Sequence, residues 1–124
     1  MEILGKDESY LGKEDDMQIS CTVFLRQQYP DKLFFHVPNG GFRNRREGAK
    51  FKRMGVRAGV SDFIFLEPTR NYKGLIVELK VRGGRLQNTQ KEFLEDAEAR
   101  GYKCGVVYSI AAFVDLVNWY FKTA

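Results

Sequence analysis

The sequence predicts an α/β (α+β) fold, a small mixed sheet of about four strands with helices on both faces. Two observations lead there. Residues 74–80, GLIVELK, alternate: Leu75, Val77 and Leu79 fall on one side, Ile76, Glu78 and Lys80 on the other, the period-two mark of a strand. Residues 13–28 and 109–122 carry apolar stripes at helical spacing instead. The two kinds of segment interleave as α, β, α, β, β, α, β, α. The 124 residues, 44% hydrophobic and 29% charged, suit one core and a single domain over 1–124.

Residues 1–12, polar with two glycines, are expected to be a loose lead-in. A helix follows from about Lys13 to Gln28, with Met17, Cys21, Phe24 and Leu25 as its stripe. Glu14, Asp15 and Asp16 stand in its first turn, where negative charge favours the helix dipole. Tyr29 to Lys32 is a turn, and Leu33–Val37 a short strand. Pro38-Asn39-Gly40-Gly41 stops that strand, and its glycines admit close approach of a phosphate. Asn44–Met54 reads as a second helix that packs through Ala49, Phe51 or Lys52, and Met54, and ends at Gly55. The next stretch, GVRAGVS, reads as a flexible connection to a hairpin beginning at Asp62. Beyond the hairpin lies a basic turn, Arg82-Gly83-Gly84-Arg85. Leu86–Arg100 is a third helix, capped by Asn88 or Thr89, burying Phe93, Leu94 and Ala97 and closed by Gly101. Tyr102–Tyr108 is another strand. A last helix, capped by Ser109, buries Phe113, Leu116, Val117 and Tyr120. Trp119 and Phe121 fall off that stripe, and either cover the core edge or form a partner surface, most simply for a second copy.

Composition narrows function. No apolar run approaches the roughly 20 residues that span a bilayer, and the acidic N-terminus lacks a signal peptide's basic start. Cys21 and Cys104 are isolated and read as reduced, buried residues of a cytoplasmic protein. Net charge is +4, unevenly spread. Residues 1–16 carry six acids against two lysines, whereas Arg43, Arg45, Arg46, Lys50, Lys52, Arg53 and Arg57 face only Glu47. Such a block attracts a polyanion, unless it is simply a solvated helix face.

The hairpin carries the chemistry. If it closes symmetrically, with Glu67 opposite Lys73, Asp62 lies opposite Glu78, their Cβ atoms about 5 Å apart. Carboxylates so close repel unless a proton or a cation lies between them. A hard divalent cation, Mg2+ or Mn2+, suits oxygen ligands. Lys80, two residues beyond Glu78 on the same face, completes a set suited to phosphodiester hydrolysis.

At this point HVPNGGFRN, KRMGVRAGVSDFIF, GLIVELKVRGG and QKEF together resemble the VRR-NUC domain, a branch of the PD-(D/E)XK nucleases with a restriction-endonuclease-like fold. The likeness spans roughly residues 13–108, as in a stand-alone, phage-type version, which would place it in a host cytoplasm if viral. It implies Asp62 and Glu78 as metal-binding acids, with the Leu79 main-chain carbonyl as a further ligand. It implies Lys80 as the catalytic lysine, Gln90 as the glutamine of the following helix, and Glu14 as the N-terminal acid. The residue before Asp62 departs from the family pattern, being Ser61 rather than proline. By the same resemblance the basic segment, with Arg82 and Arg85, contacts DNA, and His36 and Asn39 edge the site. Stand-alone members are similar in size to archaeal Holliday-junction resolvases, which implies a homodimer acting on branched DNA. The alternative is an inactive DNA-binding module on a nuclease fold.

Overall fold

A computed structural model describes residues 1–38 and 45–124, and of Arg45 the backbone alone. The elements are β1 (Glu2–Leu4), α1 (Glu14–Gln28), β2 (Phe34–His36), α2 (Arg45–Arg53), β3 (Phe63–Phe65), β4 (Leu75–Leu79), α3 (Asn88–Ala99), β5 (Lys103–Val107) and α4 (Ile110–Lys122). The strands form one mixed five-stranded sheet in the order β1-β5-β4-β3-β2. β5 runs parallel to both β1 and β4, while β3 is antiparallel to β4 and β2.

β4 is central, and its alternation divides two cores. Leu75, Val77 and Leu79 join Met17, Cys21 and Leu25 of α1 and Phe113, Leu116, Val117 and Tyr120 of α4. Ile76 faces the other way, packing with Leu94 and Ala97 of α3 and with Cys104, Val106 and Tyr108. Helices therefore cover both faces, and β4 is buried along its whole length. Ser109 caps α4 as expected, its hydroxyl accepting from the Ala112 N–H at 3.0 Å. Both cysteines are free and buried.

Four expectations are corrected. Residues 1–12 are not simply a loose lead-in. Glu2–Leu4 pairs with Gly105–Val107, giving a fifth strand where about four were expected. Three residues are too few for an alternation signal, and the open edge of β5 supplies the partner. The cap of α3 is Gln87, not Asn88 or Thr89, in a reciprocal box with Gln90. Met54 is 68% exposed rather than packed. The connection 55–61, expected to be flexible, is held against α3 at Arg57 and Gly59. Gly59 has φ +82°, and a Cβ there would sit 2.3 Å from the Thr89 carbonyl carbon.

At the rim, the Phe121 ring packs on Tyr29, Phe65 and Tyr120. Trp119, 37% exposed, meets the Tyr72 ring edge-on and lies under the Lys103 ammonium. Phe121 thus covers the core edge, while Trp119 stays partly exposed beside it.

Candidate active site

β3 and β4 pair Phe63 with Val77, Ile64 with Ile76 and Phe65 with Leu75. Continuing that register by one residue sets Asp62 opposite Glu78. Beyond Phe65 the partners part, and Glu67 turns to the residue just before β2, its Oε2 accepting from the Leu33 N–H at 2.9 Å.

The third acid comes from α1. Met17, Cys21 and Leu25 anchor that helix to the sheet, and Glu14, three residues before Met17, shares their face at the N-terminal end. Carboxylate oxygens of Glu14, Asp62 and Glu78 lie within 4.8 Å of one another, the one such cluster among the described residues. Asp62 is 8% exposed and Glu78 1%. Glu14 is exposed overall, only its carboxyl end turning inward.

Each carboxylate has a distinct hydrogen-bonding state. Asp62 Oδ2 accepts from the Leu79 N–H at 2.7 Å, which ties the start of β3 to the end of β4. The Asp62 main-chain carbonyl accepts from His36 Nδ1 at 2.7 Å and from the Val37 N–H at 3.0 Å, which sets the imidazole tautomer. Glu78 Oε2 faces Gln90 Nε2 at 3.4 Å and Lys80 Nζ at 3.9 Å. Glu78 Oε1 is buried with no hydrogen-bond partner among the described residues.

Gln90 organises the lysine. Its Oε1 accepts from the Gln87 N–H at 2.8 Å and from Lys80 Nζ at 2.9 Å, so one atom caps α3 and orients the ammonium. Burial, then the charge of Asp62, push the Glu78 carboxyl up to about 9, with Lys80 opposing. Burial and Asp62 raise Glu14 as well, while Lys80 and His36 pull it down.

A buried carboxylate oxygen without a donor, amid two further carboxylates, is left uncompensated, since Lys80 approaches only the other oxygen of Glu78. The donor set is all carboxylate oxygen, which suits a divalent cation that takes oxygen ligands. The residues present therefore fit a metal held by Glu14, Asp62 and Glu78.

Residues 13–111 match the family profile of the VRR-NUC domain. The chain belongs to the VRR-NUC family. A solved structure described as a VRR_NUC domain protein is 28% identical to it, covers 91% of each chain and superposes with a TM-score of 0.77. A search of curated proteins found no match. The VRR-NUC nuclease fold thus accounts for the mixed sheet and for the acidic cluster at its centre.

Other residues singled out from the sequence fall in several places. The Leu79 side chain is fully buried, and its N–H serves Asp62. Arg46, Lys50, Lys52 and Arg53 are exposed along α2, and Arg82 and Arg85 are exposed on the turn after β4. Arg57 instead pairs with Asp96 at 2.7 Å and lies over the Phe93 ring. Asn39, Arg43, the Asn39-Gly40-Gly41 turn and the Arg45 side chain lie outside the described residues. Reading the sequence for chemistry gave no role to Gln18, whose buried Oε1 has no partner among the described residues. The signal was present, since Gln18 follows Glu14 by one helical turn.

Proposed function

We propose that the chain is a Mg2+- or Mn2+-dependent endodeoxyribonuclease, one nuclease domain acting as a homodimer on branched or four-way-junction DNA. The observation that carries the reading is the convergence of Glu14, Asp62 and Glu78, with Glu78 Oε1 buried and unpartnered among the described residues and the buried Lys80 Nζ 3.9 Å from the other Glu78 oxygen. When bound, the cation supplies Lewis acidity, activating water and polarising a phosphoryl oxygen.

The chain's own residues do the rest. Asp62 and Glu78, fixed on adjacent strands, hold the acidic centre with no reorganisation on substrate binding. Glu14 closes it from α1, and the Leu79 carbonyl is offered as a further oxygen ligand. Lys80, held by Gln90 Oε1 at 2.9 Å, places an ammonium where negative charge develops on the phosphoryl group. His36 braces the main chain at Asp62. The exposed cations of α2, with Arg82 and Arg85, hold the DNA backbone without reading bases. Among the described residues each chain offers one such acidic cluster, so symmetric incision of two strands calls for two copies.

Asp62→Ala, Glu78→Ala and Lys80→Ala should each abolish Mg2+-dependent cleavage, and EDTA should abolish it in the parent. A correctly folded variant that cuts as well as the parent would refute the site. Cleavage of labelled junction, flap, duplex and single-stranded DNA, with the mass in solution, tests the substrate and the dimer.

A further inference from the structure

β2 stands at one edge of the sheet, with β3 on one side and no strand among the described residues on the other. Its register fixes which groups face that edge. The Leu66 N–H donates to the Leu33 carbonyl and the Val37 N–H to the Asp62 carbonyl, both at 3.0 Å. Hydrogen-bonded positions alternate along an antiparallel pair, so Leu33, Phe35 and Val37 turn their main-chain groups to β3. Phe34 and His36, between them, each turn an N–H and a C=O to the open edge.

The side chains at this edge are apolar on the α3 face. Phe35 and Val37 share that face with Ile64 and Leu66, whereas α3 packs farther in, on Ile76, Cys104 and Val106. Leu33 is 56%, Phe35 43% and Leu66 47% exposed. Natural sheets guard an open edge with lysine, an inward charge, proline or a bulge. The run 33–37, LFFHV, has no lysine, arginine, acid or proline, and its register to β3 is unbroken. The opposite edge, β1, is guarded, since Glu2 there pairs with Lys103.

An edge of this kind complements itself. A two-fold axis through Phe35, perpendicular to the sheet, sets Phe34 opposite the partner's His36, and the two such pairs exchange about four main-chain hydrogen bonds. Phe35 then meets the partner's Phe35 as a non-hydrogen-bonded pair, with Cα atoms about 4.5 Å apart. Charge agrees with the arrangement. α1 begins beside Asp62, at the Val37 end of β2, and ends at Gln28, shortly before Leu33, so it runs antiparallel to β2. The axis therefore lays its acidic first turn, Glu14 to Asp16, level with the partner's Arg26 on the same face of the joined sheet. With strands about 4.8 Å apart and a rise of about 3.4 Å per residue, the two acidic centres fall about 24 Å apart, at opposite ends of that sheet.

We propose that the two copies which paired incision requires join through their β2 edges, antiparallel about Phe35, into one continuous sheet. The proposal rests on the nuclease reading for its second copy, and adds to it the surface and the register.

The test is made in EDTA without DNA. Cys21 and Cys104 are buried, so an introduced surface cysteine reports alone. Under mild oxidation Phe35→Cys should link into a covalent dimer, because Cβ atoms about 4.5 Å apart lie within reach of a disulfide. Leu33→Cys, about 14 Å from its own mate in this register, should stay unlinked, and so should Ile3→Cys on β1. Sedimentation equilibrium should give the parent twice the mass of one chain. Phe35→Asp, which opposes two carboxylates across the axis, should raise the dimer dissociation constant at least about tenfold with the circular dichroism spectrum unchanged. A parent that sediments as a single chain, a link in Leu33→Cys or Ile3→Cys but not in Phe35→Cys, or a Phe35→Asp dimer as tight as the parent overturns the proposal. Failure of the nuclease reading would appear instead as cleavage that survives Asp62→Ala, which these metal-free measurements do not touch.

Discussion

Replacing Glu78 with glutamine should stabilise the metal-free protein while destroying its response to divalent ions. Glu78 is 1% exposed, and its Oε1 has no hydrogen-bond partner among the described residues. Burial and Asp62 raise its carboxyl from an ordinary 4.5 to about 9. An acid whose folded pKa is raised contributes stability in full below the unfolded value and loses it as pH climbs towards the folded one. The window is therefore about pH 4.5 to 9, with stability falling as pH rises. Between 4.5 and pH 7, at about 1.4 kcal/mol per pH unit, the loss comes to about 3 kcal/mol. Glutamine copies the protonated shape and carries no charge to bury. In EDTA at pH 7, Glu78→Gln should thus unfold about 10 °C above the parent, and the gap should close near pH 4.5. Mn2+ at about 100 times its Kd should stabilise the parent by about 2.7 kcal/mol and leave the variant almost unmoved. Thermal unfolding followed by circular dichroism measures all of this. A variant that melts at or below the parent in EDTA at pH 7 would refute the claim that this carboxylate is buried at a cost which a cation relieves.

Three further outcomes follow from the same geometry. Gly59→Ala, where φ is +82° and a Cβ would strike the Thr89 backbone, should lose at least about 2 kcal/mol in urea unfolding and slow cleavage by displacing Gln90. Gln90→Ala removes the acceptor of Lys80 Nζ and half of the α3 capping box, so it should lower the maximal cleavage rate with DNA affinity held and reduce stability by about 1 kcal/mol. A rate unchanged in that variant would show that the lysine needs no such guide. Ser61→Ala deletes a buried hydroxyl that has no partner among the described residues and should raise stability by about 1 kcal/mol, read as a higher urea midpoint at equal slope.

Much of the site was legible because strand periodicity is strict. Once GLIVELK is a strand, Glu78 and Lys80 share a face, and a symmetric hairpin sets Asp62 against Glu78. The pairing of Phe63 with Val77 follows that register. The stripe of α4 was equally plain: Phe113, Leu116, Val117 and Tyr120 are its buried residues. Less legible were features made by distant backbone. The pairing of Glu2–Leu4 with β5 carries too few residues for a pattern. The tight seating of Gly59 against α3 reads as flexibility in sequence because a glycine serves a loop and a close contact alike.

The chain alone determined which residue types stand at which spacing, and so the strand faces, the helix stripes and the opposition of two acids across a hairpin. Those depend on local periods of two and 3.6 residues, which no distant contact alters. Only the tertiary structure decided that Glu14 closes the acidic cluster while Asp15 and Asp16 do not, that Gln90 holds Lys80, and that β2 stands at an edge of the sheet. Those relations join segments far apart in the chain, and they are set by how helices pack on a twisted sheet rather than by any local pattern.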